Sequence, residues 1–297
     1  HATALPTDLV IVCHPAFLSQ AQRLADRRMN EGLTVRVVTP QQVFNEFSGG
    51  LRDATAIKRY MRMLYDRAGD DAPELLPRYL LLFGDGSYNN ISLSASNQNF
   101  IPSYQTADAI DFSRSYTSDD YFGLLDENEG EGTGDLVDIG VGRIIAHSTE
   151  QARQVVDKIL GYDALRGIPS SGGSCGNDGD GGIADWRTHV LFVSDDQTGD
   201  GFEGVIHMDQ SDSLARRVDR EYPTLNVDKI YLDAYQQIAT PGGQRYPQAT
   251  IELRDKVQKG ALVVNYIGHG GEVGWAHERL LDTPPYWSGR IRTACPC

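Results

Sequence analysis

The chain has 297 residues, an apolar content of 40% and a formal net charge of −14. No apolar run approaches the ~20 residues of a membrane span. No basic stripe is present to neutralise phosphates, which excludes nucleic acid as a partner.

The length suits one large domain or two subdomains sharing a core. Short apolar runs alternate with helical patterns from the start. Residues 9–13 (Leu-Val-Ile-Val-Cys) read as a strand, with Cys13 as a small core residue. Residues 17–31 place Leu18, Ala21, Leu24 and Ala25 on one helical face. A strand at 35–38, a helix at 54–68 and a strand at 79–83 ending in Gly84-Asp85-Gly86 follow, then a strand at 137–141. The helix over 149–162 has Ser148 as N-cap and Gln151 as its capping-box partner. Strands at 190–193, 229–232 and 261–267 alternate with helices at 211–221 and 249–259. Such alternation predicts an α/β fold with mostly parallel sheets flanked by helices. Ligands in such sheets bind beyond the carboxyl ends of the strands. Gly84-Asp85-Gly86, Ser194-Asp195-Asp196 and Gly268-His269-Gly270-Gly271 all fall at such ends.

Residues 167–184 are rich in Gly and Ser and mark a linker or loop. They separate an N-terminal α/β subdomain (1–166) from a second subdomain (185–282), and an atypical tail follows (283–297). The chain opens at His1 with no initiator Met and no signal-like segment, so a fragment or processed form is expected. Four cysteines are too few for a disulfide scaffold, and no Cys/His spacing resembles a zinc site.

The strand ending in His269 is the first candidate for chemistry. Flanking glycines let the backbone turn sharply and let another group approach closely. An imidazole presented this way can act as a general base, with the Gly270 N–H as an oxyanion donor. The same segment also reads as a strand-ending turn that contains a polar residue. Asp119-Asp120 with residues 126–131, and Asn177 to Asp180, offer oxygen ligands that suggest calcium, or else are solvated acidic loops. Asp157 lies off the apolar stripe of Val155, Val156, Ile159 and Leu160, beside Lys158, as a surface carboxylate would. Walker-type, dinucleotide and Gly-x-Ser-x-Gly motifs are absent.

The stretch Gly268-His269-Gly270-Gly271-Glu272-Val273-Gly274-Trp275-Ala276-His277-Glu278-Arg279 resembles the catalytic-His segment of gingipain-family cysteine peptidases, and within them the PorU-type sortases of type IX secretion. Leu82-Phe83-Gly84-Asp85-Gly86, Ile101-Pro102-Ser103-Tyr104, Ser118-Asp119-Asp120-Tyr121-Phe122-Gly123, Val141-Gly142-Arg143 and Lys229-Ile230-Tyr231-Leu232-Asp233 extend the resemblance. It implies a caspase-like fold of two subdomains and a cysteine peptidase activity with His269 as catalytic base and Gly270 as oxyanion donor. Glu272 and Trp275 would line the substrate site. Asp157 falls where an acidic specificity residue for a basic side chain is expected, if it is buried. The acidic group that assists the His in gingipains maps to His147, a departure. The nucleophilic Cys is expected on a later strand. After Asp282 the sequence ceases to resemble the family, so Cys295 replaces that nucleophile only if the tail folds back to His269. The resemblance further implies proteins with C-terminal sorting domains as substrates, outer-membrane secretion components as partners, and a secreted or cell-surface location. No cofactor is required, and calcium remains a candidate. A secreted endopeptidase and a non-catalytic interaction subunit are the competing readings.

Overall fold

The computed structural model describes residues 6–68, 72–91, 97–106, 110, 115–130, 134–166, 185–196, 203–271 and 274–282. They belong to two compact units, His1–Gly167 and Ile168–Cys297. Among the described residues no helix is long and apolar enough to cross a membrane.

The first unit runs β1 (Leu9–Cys13), α1 (Leu18–Asn30), β2 (Val35–Val38), α2 (Pro40–Phe47), α3 (Ala54–Ala68), β3 (Tyr79–Phe83), the short pair β4 (Tyr104–Gln105) and β5 (Thr117–Ser118), β6 (Gly140–Ile144) and α4 (Thr149–Arg166). Strands β2, β1, β3 and β6 form a parallel sheet in that order. Side chains of a strand alternate between faces, and β1 divides its apolar run accordingly. Val10 and Val12 pack with Val43, Phe44, Ile57 and Met61 of α2 and α3. Leu9, Ile11 and Cys13 pack with Ala21, Leu24, Ala25, Ala152 and Val156 of α1 and α4. A strand buried on both sides must be apolar throughout, and each large side chain so buried contributes about 1.5–3 kcal/mol.

Two differences from the sequence reading have local causes. Helix α2 was not expected. Its signal is a capping box: the Thr39 hydroxyl accepts from Gln42 N at 3.4 Å, Gln42 Oε1 accepts from Thr39 N at 2.8 Å, and Pro40 opens the helix. The strand expected at 137–141 lies instead at Gly140–Ile144. Residues 137–139 are held by the preceding loop, since Asp138 N donates to Gly123 O and Asp138 Oδ2 accepts from Leu125 N.

Arg143 of β6 fastens the loops at this sheet's carboxyl edge. Its side chain is 10% exposed and grips Asp119 with two bonds of 2.8 and 2.7 Å. It also donates to the carbonyls of Gly84 and Ile101. The fork geometry of a guanidinium is what allows one side chain to serve both a carboxylate and peptide oxygens.

The second unit contains β7 (His189–Ser194), α5 (Glu203–Glu221), β8 (Asn226–Tyr231), the hairpin β9 (Ile238–Thr240) and β10 (Gly243–Arg245), α6 (Pro247–Lys259) and β11 (Val263–Ile267). Strands β11, β7 and β8 form a parallel sheet. One face packs Leu191, Val193 and Ile230 against Ala249 and Leu253 of α6, and the other packs Val190 and Phe192 against Ala215 of α5. The chain then folds into a small antiparallel sheet of β12 (Gly270–Gly271), β13 (Gly274–Trp275) and β14 (Leu281–Asp282).

Replacing Arg143 with Ala strands a carboxylate and several carbonyls. Urea unfolding is expected to show a loss of about 1–3 kcal/mol, and Arg143→Lys does not restore it because an ammonium lacks the fork. A loss within about 0.5 kcal/mol, as at an ordinary surface site, contradicts this role.

Candidate active site

Strands β7 and β11 are parallel neighbours, with Ser194 opposite Ile267. Their carboxyl ends therefore deliver Asp195 and the Gly268-His269 segment side by side. The Asp195 N–H continues the ladder by donating to Ile267 O at 3.0 Å. Its carboxylate is fully buried. Oδ2 accepts from the His269 backbone N–H at 2.9 Å and lies 3.0 Å from His269 Nδ1, while Oδ1 accepts from Asp196 N at 3.0 Å. A buried carboxylate tolerates its loss of water only when protein donors replace it. An ionised carboxylate only accepts, so Nδ1 carries the ring proton and Nε2 keeps the lone pair. The His269 side chain is 38% exposed, open enough to meet a reactant.

Gly268 makes this approach possible. A β-carbon there would lie 2.4 Å from Asp195 Cβ and 2.5 Å from the Tyr266 hydroxyl. Tyr266 straps the turn by donating to His269 O at 2.7 Å, and its ring stacks on Trp275 with centroids 4.5 Å apart. Burial and the Asp195 charge push the Tyr266 phenol well above its ordinary range, so it stays a neutral donor. His269 O also accepts from Ala276 N at 2.8 Å. That bond makes Gly270 and Trp275 a non-hydrogen-bonded pair of the antiparallel ladder. The Gly270 N–H consequently points away from β13.

A second layer of acid lies behind. Asp196 and Glu278 are each 6% exposed. Tyr246 donates to Asp196 Oδ2 at 2.8 Å, and Gln237 reaches both Asp196 Oδ2 and Glu278 Oε1 at 3.3 Å. Asp196 Oδ1 and Glu278 Oε2 are buried without a partner. Burial raises both carboxyls above their ordinary range, with the neighbouring aspartates adding to it. Glu278 is carried by a turn in which Ala276 and Arg279 adopt left-handed backbone at φ 60° and 54°. Such strain in non-glycine residues collects at functional sites.

His147 lies in the first unit, with its Nδ1 3.1 Å from Asp85, and the carboxylate on His269 is Asp195. Asp157 is not a buried acid. It is 38% exposed on α4 and paired with Arg23 at 2.8 Å and Arg153 at 2.5 Å. Trp275 is partly buried against the second unit's core and spends one ring face on Tyr266. Glu272 and Cys295 lie outside the described residues, as do Cys175 and Cys297. Cys13 is buried in the first unit, with its thiol pushed up to about 12 by burial, and is no nucleophile. Sequence reasoning noted Ser194-Asp195-Asp196 as a polar strand end without giving it a partner. Parallel pairing of β7 with β11 supplies that partner.

Because Asp196 and Glu278 titrate above their ordinary values, the folded state keeps protons that the unfolded chain has lost. Stability therefore falls as pH rises through that window, and the penalty is complete above it. Glu278→Gln is expected to raise unfolding stability at pH 7 by about 1 kcal/mol, the worth of one hydrogen bond from the new amide to Asp196. The gain should shrink as pH falls toward the ordinary carboxyl range. Urea melts across pH check this, and a variant destabilised at neutral pH contradicts it.

Comparison with known proteins agrees with this architecture. The family model described as peptidase family C25 matches residues 2–288. Gingipain R, the Arg-specific cysteine proteinase, superposes with a TM-score of 0.59 at 18% identity, over 92% of this chain and 49% of that one. A further solved protease gives 0.54 at 15% identity, over 93% and 47%. These likenesses establish the fold. Dimeric latent PorU from Porphyromonas gingivalis is 40% identical over 52% of this chain and 15% of its own, with a TM-score of 0.47. The chain thus spans about half of the gingipain-like structure and less of PorU. No curated protein sequence matches it. With a parallel α/β architecture flanked by helices and a family match over nearly its whole length, the chain belongs to peptidase family C25, the gingipain family.

Proposed function

We propose that the chain is the histidine-bearing part of a cysteine peptidase of the sortase type, which removes C-terminal sorting domains from type IX secretion cargo at the outer membrane. The observation that carries the peptidase reading is the buried Asp195 carboxylate holding His269 Nδ1 at 3.0 Å beside an outward Gly270 N–H. The sortase assignment is supported by the motif around His269, which resembles that branch of the family.

In this reading a cysteine outside the described residues supplies the nucleophile. Its thiol passes a proton to Nε2 of His269, and the thiolate attacks the peptide carbonyl. Negative charge develops on the carbonyl oxygen, where the Gly270 N–H stabilises it. Asp195 stabilises the imidazolium while it exists. His269 then returns the proton to the leaving amine, and the thioester is released by water or by an amine acceptor. Substrates are secreted proteins bearing a sorting domain, the partners are other outer-membrane secretion components, and the location is the cell surface.

The test uses the full-length enzyme. Cleavage confined to sorting-domain junctions supports the sortase, whereas cleavage of generic proteins moves the assignment to a secreted endopeptidase. His269→Ala should abolish turnover and labelling by a thiol-directed peptide electrophile. Labelling that survives in His269→Ala contradicts the peptidase reading and favours a non-catalytic subunit. Asp195→Asn preserves shape but loses the tautomer, and a drop in kcat on the order of 10⁴ is expected. An unchanged kcat contradicts the role given to Asp195.

A further inference from the structure

The Asp195–His269 pair has a third neighbour that the proposed peptidase chemistry does not use. His207 of α5 stands perpendicular to His269, with ring centroids 4.8 Å apart at 88°. Its Nδ1 is buried and has no hydrogen-bond partner. A buried imidazole nitrogen without a partner forfeits the hydration it had in the unfolded chain, and something should compensate. Asp195, His207 and His269 each offer a ligand atom, and the three lie within 4.8 Å of one another.

We propose that Asp195, His207 and His269 bind a zinc-class divalent cation, and that the cation withdraws His269 from proton transfer. Two imidazoles and a carboxylate form a donor set suited to zinc with an open fourth position. Calcium and magnesium prefer all-oxygen ligands and are poorly served by it. Bond lengths of about 2.0–2.2 Å put tetrahedral ligand atoms roughly 3.3 Å apart. Asp195 Oδ2 and His269 Nδ1 are already 3.0 Å apart, so closing the site requires chiefly a small movement of His207. Asp195 Oδ1 accepts from Asp196 N, which orients the carboxylate from behind as outer-shell partners do. The partly exposed His269 ring gives the ion a way in.

Ligation silences the base. A cation on Nδ1 replaces the proton shared with Asp195, and the neutral ring then carries its proton on Nε2, leaving no lone pair for the thiol proton. No local motif marks this site, because the three residues meet only through the packing of β7, α5 and the end of β11.

The silencing half rests on the peptidase reading, and the metal half does not. The first experiment therefore reads no activity. The intact chain, with its thiols alkylated to remove cysteine ligands, is titrated calorimetrically with zinc chloride. One site per chain is expected, weakened at least tenfold in His207→Ala, and zinc should raise the melting temperature of the parent chain but not of that variant. Equal affinity in His207→Ala, or no zinc binding by the alkylated chain, overturns the site. Should His207→Ala fail to fold by circular dichroism, cobalt(II) added to the parent chain decides. Visible absorption typical of a four-coordinate nitrogen and oxygen site supports the proposal, and its absence overturns it. For the second half, zinc should inhibit the full-length enzyme at least tenfold more strongly than its His207→Ala form, with chelator reversing the effect. Equal inhibition overturns the silencing while leaving the peptidase reading intact.

Discussion

A carboxylate sealed from water at the end of a strand must find its donors in the protein, and Asp195 finds them in one place. Its partners are the next peptide N–H, the backbone of His269 and the ring of His269. That requirement joins the carboxyl ends of β7 and β11. It also dictates the absence of a side chain at Gly268, where a single methyl group would collide with Asp195. The Tyr266 strap, the Trp275 stack and the bond from Ala276 N to His269 O hold the turn from the opposite side. His269 is left with one fixed tautomer and one exposed flank.

The surroundings are costly by ordinary standards of folding. Asp196 and Glu278 crowd two more acids behind Asp195, with two oxygens left unmatched. Ala276 and Arg279 carry left-handed backbone without being glycine, each at about 1 kcal/mol or more. Departures from local consistency are expected where function outweighs stability. The first unit presents the contrast. There the largely enclosed Arg143 side chain meets a carboxylate and backbone carbonyls in good geometry, and the buried Lys58 reaches Glu129 O and the face of Tyr121.

Much of the fold was legible because its signals are local. The unbroken apolar run of β1 could only belong to a strand covered on both faces, and the helical spacing of Leu24 and Ala25 placed α1 beneath it. Helix α2 was legible too, through Thr39, Pro40 and Gln42, yet its short length hid it. The shift of β6 was not legible, since it depends on which loop captures Asp138. At the site, His269 and its glycines could be read from the sequence alone. Asp195 and His207 could not be joined to it, because parallel pairing and helix packing are long-range facts. Positional matching to a family pattern marked His147 as a departure and singled out Asp157, which is 38% exposed and paired with Arg23 and Arg153.

Everything at this site turns on Asp195 fixing the proton of His269 on Nδ1. Nitrogen-15 spectra of the chain with labelled histidine, taken at alkaline pH where the imidazole is neutral, read that tautomer directly. The expected spectrum shows a His269 ring with protonated Nδ1, bare Nε2 and a strongly downfield Nδ1 proton protected from exchange. A His269 ring protonated on Nε2, or one averaging freely between both forms, contradicts it.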